Sequence, residues 1–239
     1  MKKLVLSLVA VSTMLAAGAA NAAQTPFSGQ LDFSGVITDT APVWKWEIPA
    51  ASQTAAKGWT TKKDSGVVTG ANTVFTLDNA DIPFIQGYTP DVIGEGSPGL
   101  LPTITVAGNH VLTNTPEALD ISVTGDNKAD AGTLKMTVTG GAAFGYSTAD
   151  GFASAVYKTP GALGQVAYNM ISKNAPAGAA PGDNDNAWVW AAEAISGKSG
   201  YKDLVSSYAT NLGKFSLSFP TASIPDAWTA TVPVTVTYS

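Results

Sequence analysis

Hydrophobic and polar residues alternate along several short stretches of the chain, and the first of these lies near the N-terminus. Successive side chains of a strand face opposite sides of a sheet, so alternation over residues 27–37 predicts a strand with two unlike faces. The polar face carries Ser28, Gln30, Asp32 and Ser34. The opposite face, apolar or glycine, carries Phe27, Gly29, Leu31, Phe33, Gly35 and Ile37.

A second alternating stretch ends the chain. Its apolar face consists of Val232, Val234, Val236 and Tyr238, and threonines and Pro233 take the other face. Because proline cannot donate a hydrogen bond to a ladder, Pro233 predicts that part of this strand is an edge or a bulge. A long apolar edge is normally covered. We therefore expect a cover that comes from elsewhere in the fold or from another chain.

Further alternating runs fill most of the remaining chain and predict an all-β domain. In residues 43–48, Trp44, Trp46 and Ile48 share one face. Many short strands between turn residues are typical of a sandwich or a barrel, and one such domain accommodates a chain of this length. The other predicted strands are residues 66–69, 73–77, 103–107, 118–124, 133–139, 214–219 and 227–238.

Residues 148–212 differ, because they are rich in Ala, Ser and Tyr and lack clean alternation. This composition predicts a partly helical insertion in the β framework. Candidate helices are residues 149–157, 187–195 and 201–212.

The first 22 residues have the features of an export signal. Lys2 and Lys3 precede an apolar stretch, and Ala20 and Ala22 form a small-x-small cleavage site. The apolar stretch is too short to be a good membrane span, although a retained N-terminal anchor is the alternative interpretation. Cleavage after Ala22 leaves residues 23–40 as an N-terminal extension of a domain that spans residues 41–239. Since mature N-termini are usually disordered unless tied down, the alternation in this extension predicts docking into a groove.

Charge argues against one class of partner, and cysteine content excludes one source of stability. Without Lys2 and Lys3 the chain has 11 basic residues against 18 acidic ones, and it contains no arginine. Nucleic acid is therefore not an expected partner, because its binding needs clustered cations. The chain has no cysteine, so disulfides do not stabilise it.

Residues that carry chemistry are sparse. His110 is the only histidine and has no nucleophile motif beside it. Residues 183–186 resemble the start of a calcium loop but lack its glycine and distal glutamate, so a turn or a helix cap is expected there. The sequence predicts no catalytic residue, no cofactor and no metal site.

Four segments together resemble the FaeG-type family of chaperone–usher fimbrial subunits and adhesins. They are residues 27–38, 44–47, 147–151 and 227–238. The resemblance implies an incomplete immunoglobulin-like pilin sandwich that a donor strand completes. Phe27, Leu31, Phe33 and Ile37 would fill the groove of the next subunit, with Gly29 and Gly35 where the groove is shallow.

The same resemblance implies partners and a location. A periplasmic chaperone and an outer-membrane usher would precede neighbouring subunits, and the product would be a head-to-tail fimbria on the cell surface. An ordinary first strand that pairs within its own domain remains the alternative for residues 27–37.

The resemblance to FaeG-type subunits also implies that the chain binds host glycans through the inserted region. Aromatic rings and polar side chains suit sugars, and the insertion offers Trp188, Trp190, Tyr201 and Asp185. On a helix Trp188 and Trp190 cannot share a face. The function expected is thus a structural subunit of an adhesive surface fimbria, with host-glycan binding as an additional candidate role. The alternatives are a minor or adaptor subunit without receptor binding, or a dedicated adhesin.

Overall fold

The computed structural model describes residues 27–29, 43–93, 99–111, 115–126, 130–148, 153–158, 162–171, 181–183 and 201–238. The predicted signal peptide lies outside these residues. The strands are β1 (Phe27–Gly29), β2 (Lys45–Glu47), β3 (Val67–Thr69), β4 (Asn72–Thr76), β5 (Ile82–Tyr88), β6 (Thr103–Val106), β7 (Asn109–His110), β8 (Glu117–Gly125), β9 (Asp130–Thr148), β10 (Ala153–Lys158), β11 (Pro181–Asp183), β12 (Tyr201–Pro220), β13 (Trp228–Ala230) and β14 (Val234–Thr237). The helices are α1 (Ala50–Ala55) and α2 (Ala162–Ile171), with a 3₁₀ turn at Lys63–Ser65.

Two long strands form the centre of the larger sheet. β9 has 19 residues and β12 has 20, and they pair antiparallel along most of their length. β12 pairs with β4 and β5 on its other side, and β9 pairs with β8 and β10. Strands β2, β3, β11 and β13 complete the ten described strands of this sheet.

The smaller sheet has the order β1-β14-β6-β7 and is antiparallel throughout its described strands. The main core lies between the two sheets. Ile104, Val106, Val234 and Val236 contribute to it from the smaller sheet, and Leu134, Met136 and Val138 contribute from β9. The predicted all-β fold is confirmed.

Helix α2 covers the opposite face of the larger sheet. Its buried residues Leu163, Ala167 and Ile171 pack with Ala143, Val205 and Ala209 in a second cluster. The Ser207 hydroxyl donates to the Ala167 carbonyl at 2.6 Å. Residues 140–147 and 204–210 are consequently buried at every position.

Two helix predictions within the insertion are wrong. The helix predicted at 149–157 is wrong because residues 153–158 form β10, and the helix predicted at 201–212 is wrong because these residues are the first twelve of the 20 residues of β12. Both strands pair with β9. Residues 204–210 of β12 are buried on both faces, so their apolar residues do not alternate and resemble a helical pattern. The insertion does contain a helix, α2, but at residues 162–171, and the candidate at 187–195 lies outside the described residues.

The predicted strands with one buried face are confirmed as β2, β4, β6 and β8, and two others are parts of β9 and β12. The strand predicted at residues 66–69 is confirmed as β3, but all three of its residues are exposed. The C-terminal run (residues 227–238), predicted as one strand, divides in two. β13 pairs with β8 in the larger sheet, whereas β14 pairs with β6 in the smaller one. Pro233 lies at this change of sheet, as its chemistry predicts, and its carbonyl accepts from the Ala107 amide at 2.9 Å.

Strand β5 was not predicted from the sequence, because it contains Pro83 and Gly87 and these residue types are typical of turns. Gly87 lies between Trp46 of β2 and Tyr208 of β12. A Cβ atom at Gly87 would come within 2.1 Å of the Trp46 ring. Only glycine therefore leaves room for the ring between these strands.

We expect Gly87→Ala to lower the free energy of unfolding by about 1–3 kcal/mol, because the added methyl overpacks the Trp46 ring. Denaturant unfolding measures this loss. In a Trp46→Leu background the same change is expected to cost less, and a double-mutant cycle gives the difference. Equal costs in the two backgrounds would show that the ring is not the cause.

Candidate functional site

The C-terminal run forms one border of the most distinctive surface of the molecule. Val232, Val234 and Val236 are 4%, 1% and 0% exposed, so the predicted apolar face is the buried one. Trp228, Ala230 and Tyr238 are partly buried against the same core. The alternation thus continues through the change of sheet at residues 231–233.

Strand β14 has partners on both sides. β6 occupies one side, and residues Phe27–Gly29 of the same chain form β1 on the other. Phe27 lies opposite Val236, and Gly29 lies opposite Val234. Of the six predicted donor-strand residues, these two are described, and Leu31, Phe33, Gly35 and Ile37 lie outside the described residues.

A cleft of about 570 Å³ continues along the C-terminal run. One wall is residues 226–232, and the other is residues 53–59 at the end of α1. Its floor is mostly apolar and comes from the inner face of the larger sheet. The floor residues are Ile82, Leu134, Met136, Leu212 and Phe215.

Aromatic rings and an ion pair join the two walls at one end of the cleft. The ring centroid of Trp59 lies 4.8 Å from that of Phe215 and 6.3 Å from that of Trp228. Lys63 Nζ lies 2.5 Å from Asp226 Oδ1. The hydrogen bond and the charge of Lys63 lower the pKa of the Asp226 carboxyl, although both side chains are exposed.

Tyr238 holds the other end of the C-terminal run. Its hydroxyl accepts a hydrogen bond of 2.6 Å from Trp46 Nε1. Trp46 stacks on Trp44 with centroids 4.9 Å apart, and Trp44 Nε1 donates to the Gly99 carbonyl at 2.9 Å. Burial raises the pKa of the Tyr238 hydroxyl, and the bond from Trp46 opposes that rise. Burial also raises the pKa of Tyr208, whose ring lies 6.3 Å from that of Trp44.

The sequence predicted the C-terminal face of this site but not the facing wall. Trp59 follows a short helix, and its ring is positioned by a hydrogen bond from its Nε1 to the Ala55 carbonyl at 2.5 Å. The helix that carries Ala55 begins after Pro49, in a stretch rich in alanine. This stretch is the sequence signal that could have suggested the helix. Its placement beside Trp228 depends on tertiary packing alone.

Of the predicted glycan-binding residues, the structure describes only Tyr201. Tyr201 is the first residue of β12, opposite Thr148, and Asp185, Trp188 and Trp190 lie outside the described residues. His110 is exposed on β7. Over the described ranges, no group of three or more His, Cys, Asp or Glu side chains could hold a metal ion.

The arrangement is suited to binding an extended apolar segment. The outer edge of β14 accepts backbone hydrogen bonds from a short strand, β1, and an apolar cleft lies along residues 226–232 of the same C-terminal run. Neither helix in the described part of the chain is long and apolar enough to cross a membrane.

Comparison with known families identifies a match over the whole chain. The model of the family described as "Fimbrial, major and minor subunit" matches residues 1–239. No curated protein matches the chain.

We expect Tyr238→Phe to cost about 1–3 kcal/mol of unfolding free energy, because the nearly buried Trp46 N–H loses its acceptor. Denaturant unfolding of Tyr238→Phe, Trp46→Phe and the double variant gives the coupling between the two residues. A coupling indistinguishable from zero would contradict a stabilising role for this hydrogen bond.

Proposed function

Since the chain belongs to the family of fimbrial major and minor subunits, we propose that it polymerises by donor-strand complementation. The family is structural and non-enzymatic, and its members assemble with other subunits into surface fimbriae. In the proposed mechanism, residues 27–37 of one subunit add to the C-terminal edge of the next.

The pairing of β1 with β14 is the observation that carries this proposal. It is an antiparallel pairing in which the outer edge of the C-terminal strand accepts residues 27–29. In the structure these residues belong to the same chain. A neighbouring subunit carries the same N-terminal arm (residues 27–37). Its residues 27–29 can therefore form the same backbone hydrogen bonds with β14.

The register of this pairing also agrees with the alternation of the arm. Directly opposed residues of an antiparallel pair lie on the same face, and Val234 and Val236 are buried. An arm bound in this register presents its odd positions to the core, where Phe27, Leu31, Phe33 and Ile37 are apolar. Burial of each such side chain contributes about 1.5–3 kcal/mol, so four of them hold subunits together without disulfides.

Binding of the arm of one subunit to the groove of the next would build a fibre. The arm and the groove are different surfaces, so the contact is heterologous and extends into a filament when it does not close a ring. Before assembly, a periplasmic chaperone would cover the free edge, and an outer-membrane usher would admit the subunit to the fibre. The predicted export signal at residues 1–22 supports passage through the periplasm.

Host-glycan binding and the choice between a major and a minor subunit stay predictions. The glycan-binding role is proposed on the resemblance, and its candidates Trp188, Trp190, Tyr201 and Asp185 are proposed on the chemistry of their side chains. Trp188, Trp190 and Asp185 lie outside the described residues. A glycan array probed with a monomer that carries residues 27–37 fused after Ser239 tests this role. Copy number in isolated fibres distinguishes a major subunit from a minor one.

Engineered cysteines test the donor-strand contact directly, because the chain has none of its own. Ser28 lies opposite Thr235, and opposed residues of antiparallel strands have Cα atoms about 4.5–5.5 Å apart, within disulfide range. We expect fibres from cells that express Ser28→Cys and Thr235→Cys subunits together to contain disulfide-linked dimers. Non-reducing electrophoresis detects them.

The matched control replaces Thr235→Cys by Thr237→Cys, which is two residues out of register and is expected to give few dimers. Both changes in one chain distinguish the two interpretations of β1. Covalent ladders indicate pairing between subunits, and a cross-linked monomer indicates pairing within one. Absence of dimers from the mixed fibres would disprove the proposed contact.

A further inference from the structure

The two walls of the cleft beside the C-terminal run are joined at one end. The ring centroids of Trp59 and Trp228, one from each wall, lie 6.3 Å apart. The described strand partner of the run, β1, lies along residues 234–236, whereas the cleft lies along residues 226–232. Its volume of about 570 Å³ falls within the range of about 300–1,000 Å³ that is typical of small-molecule sites. The cleft is therefore a place for a compact ligand, separate from the described strand pairing.

A bulge in β12 forms part of the cleft floor. Lys214 and Phe215 both lie opposite the single residue Met136 of β9, and Lys214 has a φ of 54°. Leu212 faces the core, so regular alternation along β12 would turn Lys214 inward and Phe215 outward. The extra residue reverses this, because Phe215 is 2% exposed and lines the cleft while Lys214 is exposed. Bulges often re-aim side chains beside binding sites, and this one keeps a cation off the floor and adds an aromatic ring to it.

Charge is unevenly compensated along the rim of the cleft. Among the described lining residues, Lys57 and Asp226 are the charged ones. Asp226 is paired with Lys63, whereas Lys57 makes no ion pair within the described part of the chain. Lys57 is exposed, in a chain whose formal net charge is −5. An apolar cleft with one uncompensated cation at its rim is complementary to an apolar molecule that carries one negative charge.

Independently of donor-strand assembly, we infer that this cleft binds a free fatty acid, an unbranched hydrocarbon chain with one carboxylate. The hydrocarbon chain lies on the floor of Leu134, Met136 and Leu212, and the carboxylate meets Lys57 at the rim. Methionine suits such a chain, because its flexible thioether fills irregular gaps. Removal of the hydrocarbon chain from water supplies most of the affinity, and Lys57 supplies the preference for an anion.

Decanoate, added below its micelle concentration to the purified subunit, is the probe for this site. Isothermal titration calorimetry is expected to show saturable binding. Decyltrimethylammonium has the same chain length and the opposite charge, and we expect it to bind at least about threefold more weakly. Absence of saturable decanoate binding, or equal binding of the cationic analogue, would overturn the inference.

A substitution at the rim tests the role of the cation. Lys57→Gln is expected to weaken decanoate binding by about two- to fivefold, the effect of one exposed ion pair, and to leave decanol binding unchanged. Lys62→Gln is the matched control, because Lys62 is also exposed and does not line the described part of the cleft. If the two variants bind decanoate equally tightly, Lys57 does not hold the carboxylate and the inference fails.

Fluorescence quenching locates the hydrocarbon chain. Bromine quenches a tryptophan that it touches, so decanoate with bromine on its terminal carbon is expected to quench Trp59 and Trp228 in the cleft. We expect Trp59→Phe and Trp228→Phe, combined in one subunit, to remove most of this quenching. Quenching that stays equally strong without the two indole rings places the hydrocarbon chain elsewhere and overturns the inference.

The cross-link between Ser28→Cys and Thr235→Cys separates failure of this inference from failure of the proposed function. Subunits that form the cross-link in fibres but do not bind decanoate retain donor-strand assembly and overturn the fatty-acid site alone. Subunits that bind decanoate as expected but form no cross-link overturn donor-strand assembly and leave the fatty-acid site in place.

Discussion

The outer edge of β14, which β1 occupies, is the constraint on which the rest of the structure depends. One face of this strand is almost completely buried, since Val234 and Val236 are 1% and 0% exposed. Its inner edge pairs with β6, and its outer edge needs a partner because an open apolar edge promotes aggregation. Residues 27–29 of the same chain cover this edge. Under the proposed donor-strand mechanism, filling the edge would link folding to assembly.

The larger sheet makes that edge rigid by supplying a frame. Both faces of the central β9 and β12 pair are covered, one by the smaller sheet and one by α2. The frame also provides the cleft floor, which includes Met136 of β9 and Leu212 of β12. Without cysteines, the fold depends on these packed layers and on ladder hydrogen bonds.

Sequence reasoning succeeded where a strand has one buried face and failed where it has two. Residues 118–124 alternate between Leu119, Ile121 and Val123 in the core and exposed partners, so β8 was predictable. Residues 204–210 are buried throughout, and this pattern imitates a helix. At the site, the apolar face was predictable because its residues recur at every second position. They are Val232, Val234, Val236 and Tyr238. Trp59 was not predictable, because its role comes from a neighbour 169 positions away in the chain.

The attachment of the C-terminal run at both ends has a consequence for the kinetics of exchange. Asp226 and Trp228 hold one end, and Tyr238 holds the other through Trp46. A strand held in this way keeps its carbonyl and amide groups aligned, so it loses little conformational entropy when a new partner arrives. Such preorganisation leaves most of the ordering cost with the incoming segment. Under the proposed donor-strand mechanism, the rate at which one occupant replaces another would then be set by the ordering of the incoming segment rather than by rearrangement of the body.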